Sequence, residues 1–206
     1  MRRRWTTVGI GAGLVTLVLA ALAGPAGGAA SAAPAGVTAA GVRAAACGSV
    51  TWGSAQKLGR ATSVPTPPVP PPSTVRDVRT GRQPCYDRLV VALRGTAPAY
   101  LVRYVTRVTE DGSGRVVPVR GGARLQVTVF APAYDDEGDL TYVPANRREL
   151  TNVTGYRTFR QVAWAGTFEG NTDLGLGVRA RLPFRVLQVA GPGTGSRLVV
   201  DVAHTW

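Results

Sequence analysis

Two short runs of the same chemistry, Asp87-Arg88-Leu89-Val90-Val91 and Arg197-Leu198-Val199-Val200-Asp201, bracket a span of about 115 residues. Brief stretches of Leu and Val closed by charged residues suit β-strands. Their shared arginine and aspartate chemistry marks the two ends of one β domain. The charged residues are expected to serve strand pairing and strand ends. No reaction can be read from the pair.

Between these runs the pattern stays β. Tyr100 to Val108 continues it, and Glu110-Asp111-Gly112-Ser113-Gly114 reads as a tight turn. Leu125, Val127 and Val129 alternate with Gln126 and Thr128, as in a half-buried strand. Val162, Trp164 and Phe168 are placed on one face, with Gly166 between them. Leu176, Val178, Ala180 and Leu182 oppose Gly177, Arg179 and Arg181, and Phe184 to Val189 adds another strand. No amphipathic helix stands out, and Gly or Pro sits at most boundaries. These signs predict an all-β fold, a single antiparallel β-sandwich or open barrel of about seven to nine strands. One stretch breaks the rhythm. Pro132 to Tyr156 is polar and long, and is expected to form a hairpin or an excursion packed on one end of the sheet.

The N-terminal quarter reads differently. Arg2, Arg3 and Arg4 precede an uncharged apolar run from Val8 to Ala23, and Ala30-Ser31-Ala32 offers a small-residue cleavage site. The run is short for the roughly 20 residues of a spanning helix. Residues 1–32 are therefore expected to be a signal peptide, and the mature chain to be secreted, with no stable membrane span after cleavage. Residues 33–46 are nearly all Ala, Gly and Val, a flexible mature N-terminus. Residues 47–74 hold a Cys/Trp island and a spacer with six prolines between Pro65 and Pro72, a composition that favours extended polyproline II. The β domain is expected to occupy 75–206.

The chain carries a formal charge of +12, with 23 arginines and one lysine, Lys57. An exported protein so basic meets anionic surfaces such as wall polymers. Export makes nucleic acid an unsuitable ligand. The two cysteines, Cys47 and Cys85, are expected to form one disulfide, tying the spacer back to the domain.

Catalytic chemistry finds little support. The one histidine, His204, lies near the C-terminus and is expected to be a surface residue at the end of the last strand. A zinc hydrolase needs several converging ligands, which this chain does not offer. Gly191-Pro192-Gly193-Thr194-Gly195-Ser196 has Arg197 where a phosphate loop needs lysine, and reads as a hairpin turn. Asp135, Asp136, Glu137 and Asp139 form a weak calcium candidate without a known loop spacing. Glu110, Asp111, Glu169 and Asp173 could supply paired carboxylates, but each sits beside Gly or Asn at a turn. No cofactor is implied.

Binding is the better reading. Arg179 and Arg181 are expected on the solvent side of one strand, with Arg103 and Tyr104 nearby. Such a basic face with aromatics can hold anionic polymers or sugars by charge-assisted hydrogen bonds and stacking. Tyr134 and Tyr142 in the long excursion complete the ligand candidates. The expected partner is a cell-wall polymer or an envelope protein, bound by a monomer; a solvated outer sheet face is the plainer alternative.

The segments Val75-Arg76-Asp77-Val78-Arg79-Thr80-Gly81, Tyr86-Asp87-Arg88-Leu89-Val90-Val91 and Arg197-Leu198-Val199-Val200-Asp201-Val202 resemble the AMIN domain and its AMIN-like relatives. The span from Cys47-Gly48 with Trp52-Gly53-Ser54, through Cys85-Tyr86-Asp87-Arg88, to Asp201-Val202-Ala203-His204 is similar to exported AMIN-like proteins of actinobacteria. Gly112-Ser113-Gly114 and Gly166-Thr167-Phe168-Glu169-Gly170 fit the same pattern. AMIN domains look like small β-sandwiches and target cell-wall amidases and pilus secretins to peptidoglycan. The resemblance covers about residues 47–206 and implies a non-catalytic module that binds peptidoglycan or an anionic wall polymer. A protein–protein adaptor is the alternative, and an uncharacterised hydrolase a more distant one.

Overall fold

The computed structural model describes residues 52–62 and 73–206. The expected signal peptide, the 33–46 segment, Cys47 and the proline run lie outside the described residues. In chain order the strands are β1 (Lys57–Gly59), β2 (Thr74–Arg82), β3 (Tyr86–Arg94), β4 (Tyr100–Val105), β5 (Val108–Thr109), β6 (Val116–Val117), β7 (Ala123–Val129), β8 (Phe159–Phe168), β9 (Asn171–Val178), β10 (Phe184–Ala190) and β11 (Ser196–Ala203). Nine of them form two antiparallel sheets, one ordered β1-β4-β7-β9-β8 and the other β10-β11-β3-β2. The fold is all-β, a sandwich of the expected size.

Alternation along the strands builds the core. Leu89, Val91 and Leu93 of β3 and Leu198, Val200 and Val202 of β11 face Leu125, Val127, Val129, Leu174, Leu176 and Val178 of the five-stranded sheet. All of them are fully buried. Each such side chain contributes about 1.5–3 kcal/mol of transfer free energy.

The two runs that bracket the domain are neighbours. β3 and β11 pair antiparallel, setting Val90 opposite Val199 and Arg88 opposite Asp201. Asp87, on the inner face, has a different task. Its Oδ2 accepts the backbone N–H groups of Thr158 (2.6 Å) and Phe159 (3.0 Å), tying β3 to the start of β8 in the other sheet. His204 lies 3.1 Å from Asp87 Oδ1 through Nε2 and 3.2 Å from the Pro84 carbonyl through Nδ1. It is only 6% exposed, which corrects the expectation of a surface histidine. The ring is drawn in because β11 runs antiparallel to β3 and brings its end beside Asp87.

Both sides of the sandwich are strapped. On one side Gly53 bridges Phe184 of β10, while β1 pairs with β4 of the opposite sheet. Gln188 Nε2 donates to the carbonyls of Arg60 and Pro98 on that same side. On the other side runs the Pro132–Tyr156 excursion, which lies along an edge of the sandwich rather than on its end. Val75 N–H of β2 donates to the Pro132 carbonyl and Thr141 Oγ1 to the Val75 carbonyl. Leu150 N–H donates to the Val162 carbonyl and Trp164 N–H to the Arg147 carbonyl, so the excursion also covers β8.

The outer face of the five-stranded sheet is covered as well. The β5–β6 arm lays Val108 and Val119 on Ala163 and Ala165 of β8. Gly177 of β9 lies beneath it, where a Cβ would stand 1.8 Å from the Arg120 carbonyl oxygen. β9 is therefore buried on both faces and ends at Val178. Arg179 and Arg181 follow it in the connection to β10 and do not share the solvent face of a strand, contrary to expectation.

Cys85 is disulfide-bonded, and no free cysteine stands among the described residues. Cys47, its expected partner, lies outside them, so the Cys47–Cys85 pairing itself is not among the bonds described.

Candidate functional site

A groove of about 650 Å³ lies between the tip of the β5–β6 arm, the C-terminal half of β8 and the excursion. Its shape comes from a bulge. The β8–β9 register shifts between Trp164 and Gly166, and Gly166 takes a φ of 115°. The extra residue turns the alternation over: Trp164 stays in the core, and Phe168 emerges on the outer face at 44% exposure. The two were expected on one face. Phe168 instead packs against Gly112 of the arm, where a Cβ would meet its ring at 2.9 Å.

The groove has an apolar wall and a charged rim. Tyr142 packs on Trp164 with ring centroids 5.5 Å apart, and Leu140, Val143 and Pro144 extend this wall. Across it stand Glu110 and Asp111, and Arg147 closes the rim. Arg115 Nη2 donates to Glu110 Oε1 (2.7 Å) and Ser113 Oγ to Oε2 (3.0 Å). The Arg115 bond foremost, with the Ser113 bond and the charges of Arg115 and Arg147, holds the Glu110 carboxyl below its ordinary value despite opposing desolvation. Asp111 Oδ2 accepts from Asn171 Nδ2 at 3.3 Å. Burial pushes the Tyr142 phenol up, and the charge of Asp77 adds to this. Aromatic faces beside fixed carboxylates and a guanidinium suit a ligand with both apolar and ionic parts.

The residues expected from sequence do not form one site. Tyr142 lies in the groove. Tyr134 donates no wall; its hydroxyl accepts the Gly170 N–H and braces the β8–β9 turn. Arg103 and Tyr104 point to opposite faces of β4. Tyr104 Oη donates to the Leu182 carbonyl (2.7 Å) and accepts its N–H (2.9 Å), while Arg103 is exposed. Arg181 lies over the Tyr104 ring at 4.8 Å, and Arg179 donates to the His204 carbonyl.

The acidic turn is also committed to structure. Asp135 Oδ1 accepts the Asp139 N–H, and Asp135 and Asp139 exchange a backbone bond that closes the turn. Among the described residues no group of three His, Cys, Asp or Glu side chains could hold a metal ion. Of the carboxylates considered for hydrolysis, Glu169 occupies the β8–β9 turn with a φ of 44°. Asp173 is buried beneath Thr128 and Gln126, which donate to its Oδ1. Burial foremost raises its carboxyl above the ordinary value. Trp164, Phe168 and Arg147 were not among the expected site residues. Gly166 within the β8 run was the available signal, since glycine within a strand often marks a bulge.

No curated protein and no solved structure matches the chain. The family model of the AMIN-like domain matches residues 73–204, from just before β2 to the end of β11. The matched span holds both sheets except β1, the bracketing strands, Asp87 with His204, and the whole groove; the chain belongs to the AMIN-like domain family.

Proposed function

We propose that this chain is an exported, non-catalytic module that binds the cell envelope, and that the groove between β8, the arm and the excursion takes a peptidoglycan fragment. Membership of the AMIN-like family supports the class of partner, and so does the charge of +12. The observation that carries the reading is the groove itself, with Tyr142 and Phe168 on its wall and Glu110 and Arg147 on its rim. Sugar rings stack on aromatic faces, while stem-peptide amines and carboxylates would meet the acidic and basic rims. Of the sequence candidates, Tyr142 belongs to this reading; Tyr104 and Tyr134 serve the fold. The N-terminal signal peptide and an actinobacterial origin remain part of the same proposal.

The test is co-sedimentation with purified sacculi at low and high salt, comparing the wild type with Tyr142→Ala/Phe168→Ala. Wild-type protein in the pellet, and at least tenfold weaker retention of the variant, is the expected result. Protein left wholly in the supernatant, or a variant retained as well as the wild type, overturns the reading. A second reading, a protein–protein adaptor, draws on Leu140 and Val143, which are 61% and 68% exposed at the groove's edge. It expects Leu140→Ser/Val143→Ser to release an envelope protein while sacculus binding persists.

A further inference from the structure

The outer face of the four-stranded sheet carries a cluster of hydrogen-bond donors that the groove does not use. Register places Asp201 of β11 between Arg88 of β3 and Arg185 of β10. Asp201 is fully buried, and three N–H bonds engage its carboxylate: Arg88 Nε (2.6 Å) and Nη2 (2.9 Å), and Arg185 Nε (2.9 Å). Arg185 lies 4.6 Å over the Trp52 ring and 5.2 Å over Tyr86; Arg88 lies 5.2 Å over Tyr86. Both guanidinium planes are thus fixed by an anion on one edge and by aromatic rings on a face.

The remaining edges are unfilled. Among the described residues Arg88 Nη1 and both Arg185 Nη atoms make no hydrogen bond, and Trp52 Nε1 is a buried donor without a partner. Tyr86 Oη accepts from Arg88 Nη2 at 3.2 Å and keeps its own proton to donate. The two arginine side chains are 29% and 30% exposed, so the cluster opens to solvent. Two guanidinium groups against one carboxylate leave a net positive charge. Four residues then offer donors, and the single local carboxylate is already occupied. A buried polar atom without a partner calls for an explanation.

We propose that Trp52, Tyr86, Arg88 and Arg185 form an oxyanion site for a phosphoryl group, borne by a phosphodiester-linked polymer or by free phosphate. Donors from four separate side chains suit a tetrahedral group with several equivalent oxygens. A planar carboxylate needs only one guanidinium fork. The site lies on the other sheet from the groove, so its failure and that of the sacculus reading are separately visible.

The experiment follows the indole N–H signals of the ¹⁵N-labelled full chain, with the Trp52 signal assigned by Trp52→Phe. Inorganic phosphate, purified poly(glycerol phosphate), acetate and sodium chloride are titrated at matched ionic strength. The expected result is a saturable shift of the Trp52 signal with a phosphoryl probe, at least tenfold weaker in Arg185→Gln and weakened in Tyr86→Phe. Both variants should leave the Trp164 and Trp206 signals in place. Tyr86→Phe keeps the ring stack, so it serves if Arg185→Gln fails to fold. A response to free phosphate alone assigns the small anion, and a response to the polymer assigns the phosphodiester. No saturable phosphoryl response, an equal response to acetate, or one unchanged in both variants overturns the site.

Discussion

Replacing Asp87 separates two ways of losing one buried carboxylate. Asp87→Ala removes the acceptor of the Thr158 and Phe159 amides and the partner of His204, all in a buried setting. Each orphaned buried N–H costs about 1–3 kcal/mol, and an abandoned ring donor adds to this. The sum is about 4–6 kcal/mol, a large part of the roughly 5–15 kcal/mol that holds a domain folded. A domain of this size should then melt about 10–20 °C lower. Asp87→Asn behaves differently. Its Oδ1 can accept both amides while Nδ2 donates to His204 Nε2, and His204 Nδ1–H still donates to the Pro84 carbonyl. Every bond keeps a donor and an acceptor, so the cost should stay within about 1–2 kcal/mol, that of replacing a carboxylate acceptor by an amide. Urea denaturation of the three proteins measures this. If Asp87→Asn costs as much as Asp87→Ala, or if Asp87→Ala costs less than about 1 kcal/mol, the account of Asp87 as a bond-counting tie between the sheets is wrong.

Other outcomes follow from single contacts. Gly177→Ala places a Cβ 1.8 Å from the Arg120 carbonyl and should lift the β5–β6 arm at a cost of about 3 kcal/mol, whereas Gly81→Ala, whose nearest neighbour is 3.9 Å away, should be near neutral by thermal melting. Tyr104→Phe leaves the Leu182 amide without its acceptor and should cost about 1–3 kcal/mol, read as a lower urea midpoint at unchanged slope. Asp173 is raised above its ordinary 3.8, so the folded state binds its proton more tightly than the unfolded chain does. Its contribution is greatest in acid and is lost as pH rises through the folded value. Asp173→Asn should therefore gain stability relative to the wild type as pH rises above the ordinary carboxyl value and through the raised folded one, and parallel pH profiles would count against this.

The sandwich was legible because alternation and burial agree along β3, β7, β9 and β11. The β3–β11 pairing could be suspected from the shared Arg-Leu-Val-Val run, but its register needed the structure. Arg88 meets Asp201, while the sequence neighbour Asp87 turns inward to the other sheet. The residues of the candidate sites were less legible for two reasons. The bulge at Gly166 adds one residue to β8, and a period of two then assigns Phe168 to the wrong face. Trp52, Tyr86 and Arg185 are far apart in sequence and become a cluster only across three paired strands. Arg179 and Arg181 failed because β9, covered on both sides, has no solvent face from which they could project.

The long excursion has a bearing on how its own role can be studied. Its backbone occupies hydrogen-bonding positions along β8 and β2, which would otherwise be the bare margins of the two sheets. A shortened protein lacking 135–150 would present those margins to other copies of itself, and strand-to-strand association would follow. Lost binding in such a deletion would then report self-association as readily as a missing contact surface. Substitution of Leu140 and Val143, whose side chains face away from these bonds, keeps the margins guarded while changing only what a partner touches.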